Sequence, residues 1–403
     1  MDNRYSKNIT LYFAYALFYS LVFDRAIFIL YLTDTGFNNA QIGVLQSVLF
    51  FSSFALELPT GVLGDSIGRK WSVFCGLICL MLHYAGMVTF SSFPAFVCVF
   101  FILGAGFAFV SGANKSLLYD SLKECGREQD YLKINSRVNT ISAIALGSAM
   151  ILGGYIKNIS WTIVYVSTLA ATAISAFFVF LMFEDREEQL HHKTDIGETK
   201  GASTLTELKQ FFSSPLGIKM LWLFVAFGMF EAISTPFFIM NQKLLSHFKL
   251  TTAEIGMAFA AIQIFSGVSY LASTRINAVL SYEKIAFITL ISSGLLVMLT
   301  YAGNLYLSLA VFCYMAVVPE IFFVITETHV QHQIPSRTRA SIMSSWSFIQ
   351  TFLISVSYIL IGKLMDVLGV VNAMSLYGLL VIIPIGIFIY YFRNHHTYNT
   401  SQT

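Results

Sequence analysis

The sequence predicts an all-α integral membrane protein with twelve transmembrane helices in two six-helix bundles. Three observations lead there: a charge-poor apolar composition, a series of apolar runs of spanning length, and a polar tract that divides those runs evenly. Of 403 residues, 56% are hydrophobic and 11% charged, and mean hydropathy is +0.70. A soluble domain carries about 25% charged residues, so this chain has too few to cover a water-facing surface. Its net charge of +2 gives no reason to expect a nucleic-acid partner. Cys75, Cys79, Cys98, Cys125 and Cys313 form no C-x-x-C, and most sit in apolar runs. They read as small buried hydrophobes, and neither a disulfide framework nor a metal site is expected. No nucleophile–base pair, phosphate loop or cofactor motif is present, so the chain does not read as an enzyme.

A spanning helix needs roughly 20 apolar residues. Such runs fall at about 8–32, 40–62, 71–91, 94–118, 136–157, 161–183, 216–240, 252–274, 283–303, 305–328, 338–361 and 371–393. The N-terminal MDNRYSKNIT leads into the first without a small-residue cleavage site, which points to a helix and not a cleaved signal. An even number of spans puts both termini on one side. Lys157, Lys243, Lys249 and Lys363 lie in the loops of the other side, and Arg25 and Lys115 lie inside spans. All remaining Lys and Arg share the side of the termini, which the positive-inside rule makes cytoplasmic.

The longest polar stretch, residues 184–215, joins the sixth and seventh spans. It divides the chain into an N-terminal bundle (1–183), a cytoplasmic linker (184–215) and a C-terminal bundle with a short tail (216–403). Thr204 and Glu207 have capping-box spacing, so a short amphipathic helix is expected before the seventh span. The adjacent pairs His191–His192 and His395–His396 read as solvated residues, not metal ligands.

The halves also echo each other. NAQIGVLQS (39–47) aligns without gaps on TAEIGMAFA (252–260), matching Ala40 with Ala253, Ile42 with Ile255 and Gly43 with Gly256. Arg69-Lys70 falls near Glu283-Lys284 at a similar separation. Together with equal helix counts, these matches support parallel repeats, an architecture of two-bundle secondary transporters.

One charged stretch interrupts the first half. In GVLGDSIGRK, the residues Gly61, Leu63, Asp65, Gly68, Arg69 and Lys70 resemble the major facilitator superfamily signature G-x-L-A-D-x-x-G-R-K, with Gly64 in place of alanine. The flanking ELPTG, GFNNAQIG and SGANKSLLYDSL look like a bacterial branch of that superfamily, which implies the bacterial cytoplasmic membrane. Glycines let two helices approach and the chain reverse, and Arg69 and Lys70 hold the loop in the cytoplasm. The resemblance implies that Asp65 latches to the start of helix eleven, where Arg337 and Arg339 sit, when the inner side is closed. It also implies that Arg69 pairs with Asp120 at the end of helix four. On this reading Gly61, Gly64, Asp65, Gly68, Arg69, Lys70, Asp120, Arg337 and Arg339 make a cytoplasmic gate and bind no substrate.

The charges inside the spans are Asp24, Arg25, Glu57, Lys115, Glu231, Glu320 and Glu327. A charge near the bilayer centre costs about 2.5–3.5 kcal/mol on the insertion scale and is a functional candidate by default. In the superfamily, helices one, four, seven and ten line the cavity, and all of these except Glu57 fall on those four. At about 1.5 Å rise per residue, Asp24, Arg25 and Glu231 lie at similar depth. Asp24 and Arg25 diverge by roughly 100° around a helix, so one faces the cavity while the other meets a neighbouring helix. Glu320 follows Pro319, where a kink is expected. Asp24, Arg25, Glu231 and Glu320 are therefore the candidates for substrate or proton binding. Glu57 and Lys115, at matched depth, are expected to form a structural pair, and Glu327 to be solvated or to meet Arg337 or Arg339. Tyr12, Tyr15, Tyr19, Phe224, Phe227 and Phe230 form aromatic stripes that read as packing but would suit a flat or cationic substrate.

Without a nucleotide-binding loop, the driving force is an ion gradient, with proton preferred and sodium the alternative. The first functional reading is proton-coupled export of small amphipathic organic molecules. Its usual marks are missing: Ala149-Met150 stands where the drug antiporters of the superfamily carry Gly-Pro, and helix four lacks an early arginine. The second is a proton-coupled symporter importing a sugar, organic acid or peptide, and the third a membrane receptor without transport. The expected partners are a small-molecule substrate, the coupling ion and lipid, and the architecture can work as a monomer.

Overall fold

The computed structural model describes residues 3–184, 208–335 and 338–399, without the side chains of residues 3, 4, 65, 267–271, 340 and 394–399. All long elements among them are helices. In chain order these are α1 (Asn3–Tyr19), α2 (Phe28–Asp34), α3 (Asn39–Ile67), α4 (Arg69–Thr89), α5 (Phe93–Glu124), α6 (Tyr131–Ile156) and α7 (Trp161–Leu181). There follow α8 (Pro215–His247), α9 (Thr252–Val279), α10 (Tyr282–Leu299), α11 (Leu305–Gln333), α12 (Arg339–Leu368), α13 (Val370–Leu379) and α14 (Ile382–Asn399). The linker expected over 184–215 falls largely outside the described residues, as do Thr204, Glu207, His191 and His192 and the side chains of His395 and His396.

Ten helices among the described residues are long and apolar enough to cross a membrane. Two of the twelve expected spans are not among them. In α9 the side chains of residues 267–271 lie outside the described residues, and the apolar segment described there is Thr252–Ser266. The first expected span, 8–32, is not one helix: it is broken between α1 and α2. The sequence there is apolar except for Asp24 and Arg25, and local and distant contacts hold the break. Ser20 turns its hydroxyl back on the Ala16 carbonyl (2.8 Å). The Phe23 amide donates to the Thr168 hydroxyl of α7 (3.2 Å) in place of a carbonyl one turn back. Gly153 of α6 leaves room for the displaced backbone, because a Cβ there would lie 1.8 Å from the Phe23 oxygen.

The chain forms two compact units. One takes Met1–Phe37, Val48–Ile196 and Lys249–Gln263, and the other Asn38–Ser47, Gly197–Phe248 and Ile264–Thr403. Thus α3 begins in the second unit and continues in the first, while α9 begins in the first and continues in the second. The exchanged starts are the segments that repeat in the sequence.

The first unit is centred on Tyr15, Phe96, Phe100 and Tyr165, all fully buried. In the second, α8 is the most enclosed helix. Phe224, Phe227 and Phe230 are completely buried, and Phe227 packs on Phe322 and Trp346 with ring centroids 5.3 and 5.5 Å away. This stripe is packing, with no free face for a ligand. The outward faces carry exposed Leu82, Ile144, Phe177, Ile288 and Leu295, as lipid contact requires.

Candidate functional site

The two neighbours Asp24 and Arg25 part company, as their spacing predicts, although on a turn and not on a helix. Asp24 is buried, 6% exposed, and Arg25 is exposed. Asp24 accepts a long hydrogen bond from the Thr168 hydroxyl (3.4 Å). Tyr84 of α4 and Tyr165 of α7 lie within its electrostatic reach. Tyr12, one of the expected stripe on α1, donates to the Asn114 side chain of α5 (2.6 Å).

In the second unit Glu231 is partly buried on α8 and accepts from the Thr235 hydroxyl one turn on (3.3 Å). Glu320 of α11, half-buried, is its acidic neighbour. The two candidate acids thus lie within electrostatic reach of each other. The helix α11 runs through Pro319 as a single element. Two carboxylates within reach of each other in an apolar bundle repel. A proton or a cation between them relieves that repulsion.

Glu57 and Lys115 do not form the expected pair; both are exposed, and no ion pair joins them. Glu327 accepts from Gln331 (3.2 Å); of the two arginines named for it, Arg337 lies outside the described residues.

The charged loop after α3 is built as a unit. Gly68 reverses the chain at φ +101°, and a Cβ there would lie 2.5 Å from a Glu184 oxygen. That carboxylate takes the first amides of α4, from Arg69 (2.8 Å) and Lys70 (3.2 Å), satisfying donors that a helix start leaves open. Arg69 forms an ion pair with Asp120 of α5, as the resemblance implied. Lys70 donates to the Met182 carbonyl (2.6 Å). Gly64 lies against Ser72 of α4, whereas Gly61 faces open space. The Asp65 side chain and Arg337 lie outside the described residues, and Arg339 is exposed.

Sequence reasoning missed three groups. Glu184, the first residue of the polar linker, carried no motif. Thr168 and Tyr165 looked like ordinary polar residues in an apolar helix. Asp366, in LMDVLG, accepts from Asn39 N (2.9 Å), Asn39 Nδ2 (2.7 Å) and Ala40 N (2.8 Å) at the start of α3, while Lys243 of α8 donates to the Asn39 side chain. Asp366 was placed outside the spans and passed over for that reason.

Residues 9–244 match the family described as the Major Facilitator Superfamily. An uncharacterized transporter, BU466, of Buchnera aphidicola is 22% identical over 316 residues, covering 77% of each chain. The crystal structure of the nucleoside transporter NupG superposes with a TM-score of 0.77 at 14% identity, covering 98% of this chain and 99% of that one. That of a D-xylose–proton symporter does so with a TM-score of 0.71 at 11% identity, covering 95% and 97%. At these identities the two structures speak for the fold alone.

Proposed function

The chain belongs to the major facilitator superfamily, and as a multi-pass membrane transporter of that type we propose that it works by alternating access, coupled to a proton gradient, to export small amphipathic organic molecules. The observation that carries this reading is the proximity of Glu231 on α8 and Glu320 on α11. A pair of acids inside an apolar bundle is chemistry that a proton and a cationic substrate would compete for. Such competition couples two fluxes without ATP. The loop from Gly61 to Lys70, tied by Arg69–Asp120 and by Glu184, serves as the cytoplasmic gate. An interaction present in one conformer only biases the equilibrium between conformers. The distribution of Lys and Arg supports cytoplasmic termini, and the resemblance of the loop and its flanks supports a bacterial cell membrane.

A second reading, proton-coupled import of a nutrient, is favoured by exposed Arg25 and Lys115, which suit an anionic ligand. Proteoliposomes with a panel of cationic drugs, sugars, acids and peptides separate the two. Export predicts that a cationic drug drives protons opposite to itself. Co-directional movement of a sugar, acid or peptide with protons would replace it with symport, and no flux with any of them would leave a receptor.

A further inference from the structure

Asp24 sits where the first membrane helix comes apart, and its surroundings differ from those of the Glu231–Glu320 pair. Its carboxylate is buried, yet the hydrogen bonds it receives are weak. Besides its own amide, it has the Thr168 hydroxyl at 3.4 Å, and the single proton of that hydroxyl is shared with the Val164 carbonyl at 3.2 Å. The Tyr165 hydroxyl is wholly buried and has no hydrogen-bond partner. Asp24 is the strongest charge acting on it, as it is on Tyr84. The turn from Ser20 to Ile27 adds main-chain oxygens: the Leu21 and Phe23 carbonyls accept no main-chain hydrogen bond.

We propose that this break is a sodium site, with Asp24 as its charged ligand, the Thr168 and Tyr165 hydroxyls as neutral ones, and a carbonyl of the unwound turn completing the shell. Every group offered is oxygen, the donor set of a hard cation. Unwound backbone beside a carboxylate in a broken helix is a recurrent way to hold a monovalent ion in a membrane. One carboxylate neutralises a single positive charge, and Arg25 next to it adds a repulsion that falls hardest on a divalent ion. With Asp24, Tyr84 and Tyr165 at 6%, 6% and 0% exposure, the place is too enclosed for an organic ammonium. The site does not depend on the proton reading of Glu231 and Glu320.

The test is a thermal-unfolding titration of the purified full chain with sodium chloride, choline chloride holding ionic strength and pH constant. A ligand that binds only the folded state raises the midpoint with concentration. The midpoint should rise with sodium and not with choline. Tyr165→Phe should shift the half-effective sodium concentration upward about tenfold, the equivalent of one lost charge-assisted contact. Asp24→Asn should abolish the rise. Should that variant fail to fold, the wild-type titration and Tyr165→Phe still decide. Equal midpoints in sodium and choline, or an undiminished rise in Asp24→Asn, would overturn the proposal, and neither result bears on proton coupling.

Discussion

Gly43 and Gly256 occupy equivalent places in the sequence repeat, and each lies against a main-chain carbonyl of another helix. A Cβ on Gly43 would stand 2.2 Å from the Tyr358 oxygen, and one on Gly256 2.3 Å from the Met150 oxygen. The relation is reciprocal: Gly362 and Gly154 take the carbonyls of Asn39 and Thr252, where a Cβ would meet them at 2.3 and 2.4 Å. The contact of α3 with α12 is thus repeated by α9 with α6. In lipid, where apolar burial drives little association, such close backbone approach is what holds helices together.

Gly43→Leu and Gly256→Leu should each force these helices apart. Overpacking of this kind costs about 1–3 kcal/mol, and thermal unfolding should report it for both. Gly386→Ala, at a site with open space, serves as the control. Equal midpoints for all three variants and wild type would show that the contacts carry no energy.

The two copies differ in one respect. Asp366 caps the start of α3, whereas at the start of α9 the Thr252 hydroxyl donates to the Gly154 carbonyl (2.9 Å). Loss of an N-terminal cap costs about 1 kcal/mol, so Asp366→Ala should speed amide exchange at Asn39 and Ala40 several-fold. Unchanged exchange there would mean that solvent replaces the carboxylate without penalty.

Arg69 and Asp120 are 36% and 35% exposed at the side chain. Pairs this open contribute about 0–1 kcal/mol. A double-mutant cycle on unfolding should therefore give a small coupling, while Asp120→Ala slows transport by an order of magnitude or more. A large stability coupling with normal turnover would make the pair structural and remove it from the gate.

Much of this was legible in the sequence because it rests on local chemistry. The loop motif and the repeated Gly43 and Gly256 follow from residue type and spacing, and the Arg69–Asp120 partnership from the resemblance that the motif carries. The division of roles between Asp24 and Arg25 was also readable, since adjacent side chains cannot face the same way. The broken first helix was not, because Asp24 and Arg25 read there as charges carried within a span, and the contacts from Thr168 and Gly153 that favour the break lie far along the chain. Glu57 and Lys115 misled for the opposite reason: equal depth is not equal azimuth, and the two side chains form no ion pair.

Proton movement through proteoliposomes of purified protein, wild type against Glu231→Gln, tests the central claim most directly. An internal pH dye would follow it while a cationic drug that the wild type exchanges for protons is added outside. The account predicts drug-driven proton flux in wild type and its loss in the variant, with drug movement no longer dependent on the pH gradient. Unaltered proton flux and pH dependence in Glu231→Gln would contradict it, and would return the Glu231–Glu320 pair to a structural role.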